Sequence, residues 1–192
     1  KLKDLTCLLN ELRAAGAADR PDDVELLDVT RMCNGLVQTF AEYAETHKVG
    51  YRTEVGEGML FPSARGTLSM VLNIVLSNAF RRSETGGEVF FGVSVVQDRL
   101  RVVVSNRGEG VDLGQIEFLS DRYRLLDYLE SRGKGGLSQK GDMELAICHN
   151  LAAKLGGEFR IASEGDVTTV TLSFPELEIA RVTQPVLQVD MA

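Results

Sequence analysis

Three short segments of this chain carry residue types suited to holding a charged ligand. In Asn73-Ile74-Val75-Leu76-Ser77-Asn78-Ala79-Phe80-Arg81-Arg82, asparagines and arginines interrupt an otherwise apolar run. In Asn106-Arg107-Gly108-Glu109-Gly110, glycines follow directly on a β-rich stretch. The third segment runs from Gly133-Lys134-Gly135-Gly136 through Lys140-Gly141-Asp142 into Leu145-Ala146-Ile147. These types offer electrostatic positioning rather than nucleophilic attack. An asparagine carbonyl is a hard oxygen ligand for a divalent cation, and a guanidinium one helical turn on, at Arg81, can meet phosphate charge. Glycines that open a helix present N–H groups and the positive end of the helix dipole to an anion. A single GxG after a strand is most often only a turn, so the order and spacing of all three segments carry the signal.

Other reactive side chains point nowhere comparable. The three cysteines, Cys7, Cys33 and Cys148, are far apart, lack CxxC spacing and fall among apolar neighbours. They read as small buried thiols rather than a disulfide framework or zinc site. The two histidines, His47 and His149, lie in polar settings and read as surface residues. No His/Cys/carboxylate cluster has metal-ligand spacing, so no transition metal is expected.

The elements that must position the three segments follow from periodicity. Asp28 is a plausible N-cap for a helix with Val29, Met32, Cys33, Leu36, Val37, Phe40 and Ala44 on one face, ending at Gly50. Residues 51–55 and 59–61 read as short strands. Pro62 and Ser63 are expected to open a second helix reaching roughly Arg81, with Leu68, Val71, Leu72, Val75, Leu76 and Ala79 as its apolar face. Residues 88–96 and 100–105 form a hairpin over Gln97-Asp98-Arg99. Residues 106–141 are glycine-rich, with a possible helix from Ile116 to Leu129, and suggest a functional lid or binding loop. A third helix runs from about Met143 to Leu155 and stops at Gly156-Gly157. A second hairpin spans 158–162 and 167–174. The fold expected is a two-layer α/β (α+β) sandwich, three helices on one face of a mixed, mostly antiparallel sheet.

Outside this unit, Leu2, Leu5, Leu9 and Leu12 form the seam of a helix that packs on another helix. The expected divisions are a helix end at 1–16, a linker and first strand at 17–27, the domain at 28–174 and a tail or linker at 175–192. With 192 residues and a net charge of −7, the chain is long enough for a real core and too acidic to suggest a nucleic-acid partner. No apolar run approaches the ~18 residues of a membrane span. The opening Lys1-Leu2-Lys3 has neither Met nor a signal core and reads as the start of a fragment.

In this order and spacing, residues 24–174 resemble the catalytic, ATP-binding domain of sensor histidine kinases, whose fold is shared with gyrase, Hsp90 and MutL. Val75-Leu76-Ser77-Asn78-Ala79-Phe80-Arg81 is similar to that family's "NLLSNAxK" box, Asn106 to Gly110 to its "DxGxG", and Lys140 to Ile147 to its "GTGLGLAI". The resemblance implies ATP and Mg2+ as ligands, with Asn78 on the metal and Arg81, Arg82, Asn106, Gly108, Gly110, Lys140 and Gly141 around the nucleotide. It implies phosphoryl transfer to a histidine on a dimeric helical stem upstream of residue 1, so no catalytic residue is assigned within the chain. It also implies a response regulator or receiver domain as partner, a homodimer formed through the N-terminal helix, and a cytoplasmic domain whose parent can be anchored in the bacterial inner membrane.

The sequence departs from the family pattern in ways that weaken the expected site. Four residues before Asn78, where the family has a second polar residue, stands Ile74. Asn73 is about 140° away around the helix and cannot substitute. Asn106 replaces the aspartate that receives the adenine amino group. Asp142 and Glu144 replace glycines of the last box, where their carboxylates would repel phosphate, and Asp142 is a good N-cap for a helix from Met143. Gly133 to Gly141, with Lys134 and Lys140, offers a shifted phosphate lid, in which Arg122 and Arg124 also fall. The reading is a sensor-kinase catalytic domain with a weakened nucleotide site; the alternative is a degenerate domain serving as a regulatory or docking module. A chaperone or topoisomerase relative fits less well.

Overall fold

The computed structural model describes residues 24–120 and 140–178. Strand β1 (Val24–Asp28) leads into helix α1 (Val29–His47), then β2 (Gly50–Val55), β3 (Leu60–Ala64) and helix α2 (Arg65–Arg82). The long hairpin β4 (Glu88–Val96) and β5 (Arg99–Arg107) follows, then the short helix α3 (Leu113–Ser120), helix α4 (Lys140–Lys154), and the hairpin β6 (Glu158–Glu164) and β7 (Val167–Pro175). The larger sheet has five strands in the order β2-β4-β5-β7-β6. Its β2–β4 pair is parallel and its other pairs are antiparallel. The mixed, mostly antiparallel sheet expected from the hairpin spacing is what forms.

Alternation decides which face of the sheet the helices cover. Val89, Phe91 and Val93 of β4 and Leu100, Val102 and Val104 of β5 are buried, as are Val170, Leu172 and Phe174 of β7. Against them lie Leu68, Val71, Leu72, Val75 and Leu76 of α2 and Leu145, Ala146, Cys148, Leu151 and Ala152 of α4. Phe90, Gly92 and Ser94 alternate to the helix-free face, where the Arg52 guanidinium lies 4.3 Å from the Phe90 ring centroid. Among the described residues no helix is long and apolar enough to cross a membrane.

Local chemistry sets most element ends. Asp28 caps α1 as expected, its Oδ1 accepting from the Arg31 N–H at 2.8 Å. The helix does not run to Gly50. Lys48 takes the left-handed conformation at φ 56° and donates its N–H back to the last turn, freeing Gly50 to start β2 with its N–H on the Gly87 carbonyl. The turn between β4 and β5 has positive φ at both Gln97 and Asp98, the geometry of a two-residue hairpin whose twist matches its strands. Gly156, at φ 64°, closes α4.

The start of α2 differs from expectation. Pro62 and Ser63 belong to β3, paired with Leu26 and Glu25 of β1, and α2 begins only at Arg65. Proline suits an edge strand because its missing donor faces away from the partner, and here its carbonyl accepts from the Leu177 N–H. The third helix also starts earlier than expected, at Lys140 rather than Met143. The possible helix from Ile116 to Leu129 is represented by α3; residues 121–129 lie outside the described residues, as do the helix end at 1–16, Cys7, the Gly133 to Gly136 segment with Lys134, and Arg122 and Arg124.

Candidate functional site

Helix α2 delivers the first set of residues. Its apolar face is fixed in the core, and this rotation buries Asn78 to 3% exposure near the helix end. Asn73 is turned elsewhere. Its Nδ2 donates to the Ser69 carbonyl of its own helix at 2.8 Å, and Ile74 packs against the core. The helix therefore supplies one asparagine to the site, as the angular spacing predicts.

Arg81 and Arg82, in the last turn, diverge. Arg82 is 7% exposed, and its Nη1 donates to the Gly110 carbonyl. It ties α2 to the first glycine box instead of presenting its charge to solvent. Arg81 reaches helix α4, where its guanidinium makes two parallel bonds to the Glu144 carboxylate, Nη1 to Oε1 at 3.2 Å and Nη2 to Oε2. The Arg81 side chain is 41% exposed and that of Glu144 14%.

The glycine box at the end of β5 is fastened to the same helix end by backbone. The Glu109 N–H donates to the Arg82 carbonyl at 2.9 Å, and the Gly108 N–H to the Asp166 carbonyl at 2.8 Å. Ser83 and Gly108 form a β-bridge. A Cβ at Gly108 would lie 2.1 Å from the Arg82 oxygen, at a φ of 154°, so only glycine fits. Asn106, 5% exposed, sits between Val89 of β4 and Thr168 of β7. Its Nδ2 is buried without a hydrogen-bond partner. Thr168 is buried beside it, with its hydroxyl 3.4 Å from that of Ser163.

The second glycine box opens α4. Lys140 and Gly141 form its first residues, and Asp142 follows inside the first turn. The expectation that Asp142 caps the helix is therefore corrected. Met143, Leu145 and Ala146 are buried, and the helix continues backwards from this anchor to Lys140. An acidic residue so placed is still favoured by the helix dipole.

Helices α2 and α4 run in opposite senses, since Arg81 meets Glu144 while Val71 meets Cys148, whose Sγ lies 3.8 Å from the Val71 carbonyl. Burial, and secondarily Glu144, pushes the Cys148 thiol well up, and burial pushes Cys33 up to about 12. Both are core thiols. The histidines lie elsewhere: His47 stacks on Tyr43, and His149 meets the edge of Phe159, with burial lowering its pKa. The structure thus ties Arg82 directly to Gly110 and Ser83 to Gly108, with Asn78 buried one turn back on the same helix, and joins α4 to α2 through the Arg81–Glu144 pair. Sequence reasoning missed that pairing and the Arg82 link to Gly110. Opposite charges near two helix ends were its only advance signal.

Residues 64–178 match the family described as histidine kinase-, DNA gyrase B-, and HSP90-like ATPase. The sensor-like histidine kinase SenX3 of Mycolicibacterium smegmatis is 27% identical over 92% of this chain and 45% of its own length. The sensor histidine kinase WalK of Bacillus subtilis is 26% identical over 89% of this chain and 28% of its own. The chain thus spans less than half the length of these curated relatives. The solved structure of histidine kinase ThkA in complex with response regulator protein TrrA superposes with a TM-score of 0.66 at 14% identity, covering 92% of this chain and 48% of that one. That likeness is one of fold.

Proposed function

This chain belongs to the histidine kinase-, DNA gyrase B-, and HSP90-like ATPase family, and we propose that it serves as the ATP-binding catalytic domain of a two-component sensor kinase with a weakened nucleotide site. The observation that carries the reading is the junction of α2 with the first glycine box, where buried Asn78 and Asn106 lie in elements joined by the Arg82 and Gly108 contacts.

The residues fit a purine better than they fit a triphosphate. The Asn106 amide, whose Nδ2 is unpartnered, can exchange hydrogen bonds with a base edge, with Thr168 beside it. Asn78 is the Mg2+ ligand in this reading, a neutral oxygen suited to a hard cation that keeps much of its water. Gly108 and Gly110 set the backbone course, Arg82 holds that course against α2, and Lys140 and Gly141 open α4 toward the phosphates. Bound Mg2+-ATP would supply the phosphoryl group, passed to a histidine on a helical stem of the parent protein. Positioning and charge do most of the work in such transfers.

At the scale of the parent protein, the complex of ThkA with TrrA supports a response regulator or receiver domain as partner. A homodimer through the leucine seam of residues 2–12, and membrane attachment of the parent, belong to the same reading.

Titration of the chain with a labelled ATP analogue tests it. A Kd on the order of millimolar is expected, so Mg2+-ATP at a concentration equal to Kd stabilises by only about 0.4 kcal/mol and barely moves the melting temperature. Asn78→Ala should abolish the Mg2+-dependent part of binding. A micromolar Kd would remove the weakening from the reading. Unchanged Mg2+ dependence in Asn78→Ala would remove Asn78 from the site.

A further inference from the structure

The Arg81–Glu144 pair is unusual in where its two charges sit. Arg81 occupies the last turn of α2, where the helix dipole is negative and favours a cation, while Glu144 is the fifth residue of α4, past the first turn in which that helix's own dipole acts. Arg81 is held by its own helix end as well as by Glu144, and the bidentate geometry is the strong form of a guanidinium–carboxylate contact. Burial is uneven. Glu144 is mostly covered while Arg81 is partly open, so the carboxylate is the fixed member and the guanidinium is the one a ligand can approach. An anion arriving at Arg81 meets a built-in anion already there. The other arginine of this turn is directed to the Gly110 carbonyl.

We propose that Glu144 is a specificity-determining residue that withholds Arg81 from nucleotide phosphates, so that the site distinguishes its ligands by their base and hardly by their phosphates. This rests on the nucleotide-site reading above. Adenosine and Mg2+-ATP then bind with similar weak affinity, because any gain from the phosphates is offset by breaking the internal pair. A pair that merely fastens α2 to α4 would affect stability and treat the two ligands alike.

The test is calorimetric titration of the 192-residue chain with adenosine, Mg2+-ADP and Mg2+-ATP, in the unaltered protein, Glu144→Gln, and Glu144→Gln combined with Arg81→Ala. Glu144→Gln is expected to tighten Mg2+-ATP on the order of 10- to 100-fold, the range for one charged hydrogen-bonding group, while adenosine changes by less than about twofold. Adding Arg81→Ala should erase the gain. Glu144→Asp, which keeps the charge but shortens its reach, guards against a misfolded glutamine variant and should give a smaller gain of the same sign. Thermal melting without ligand confirms that each variant is folded. Equal changes for adenosine and Mg2+-ATP, or no change in folded variants of a protein that does bind nucleotide, overturn the role of Glu144 and leave the nucleotide site standing. Folded variants that bind neither adenosine nor nucleotide overturn the site itself, and this proposal with it.

Discussion

Asn106 puts a neutral amide where related domains are expected to carry a carboxylate, and in the proposed nucleotide-site reading this changes what the end of β5 would offer a base. A carboxylate only accepts; an amide both donates and accepts, without charge. The buried Nδ2 without a partner leaves that donor unused in the free protein, which has a cost of its own. Asn106→Asp should restore the charge-assisted contact with the 6-amino group of adenine and tighten ATP about fivefold, close to 1 kcal/mol, with no such gain for GTP, whose 6-position is a carbonyl that the carboxylate would repel. Competition titration at pH 8 checks this, and equal effects on the two nucleotides would remove Asn106 from the base edge. The thiols make a second residue-scale case. Burial raises Cys33 from its ordinary 9.0 to about 12, so the native state keeps its proton after the unfolded chain has lost it. The stabilisation from Cys33 is therefore complete below pH 9.0 and declines as pH rises from there toward 12. Denaturant melts from pH 8 to 10.5 should show a steeper alkaline loss in the unaltered chain than in Cys33→Ala at matched pH, and parallel curves would contradict it.

At the scale of elements, the junction between α2 and the glycine box depends on close backbone approach. Gly108→Ala would drive a Cβ against the Arg82 carbonyl, and a loss of about 1–3 kcal/mol is expected, read by urea unfolding. A loss within 0.5 kcal/mol, the range of an ordinary surface substitution, would mean the junction is softer than its geometry. The same elements show what the sequence could reveal. The apolar faces of α1 and α2, the Asp28 cap and both hairpins follow from spacing, since period and turn chemistry act locally. The β1–β3 pairing does not follow, because Pro62-Ser63 also reads as a helix start, and only the distant strand at residues 24–28 settles the choice. The role of Glu144 was half legible. Its acidic type in a glycine position signalled conflict with phosphate, but its union with Arg81 spans 63 residues of sequence and depends on how two helices pack.

For the whole molecule, one core joins the sheet to α1, α2 and α4, and the candidate site sits where the ends of α2, α4 and β5 come together. Charge on this scale is less diffuse than a net −7 suggests. Part of it, the Glu144 carboxylate, is paired with Arg81, and in the proposed reading a weak ATP response follows from that pair. The backbone contacts at Arg82 have a further consequence for how the chain can change length. Its carbonyl accepts from Glu109 instead of continuing the helix, and each inserted residue would rotate the downstream end of the helix by about 100°. Insertions or deletions between Asn78 and Arg82 therefore break the junction, whereas the hairpin tip at Gln97-Asp98, on the far end of β4 and β5, is free to lengthen without disturbing it.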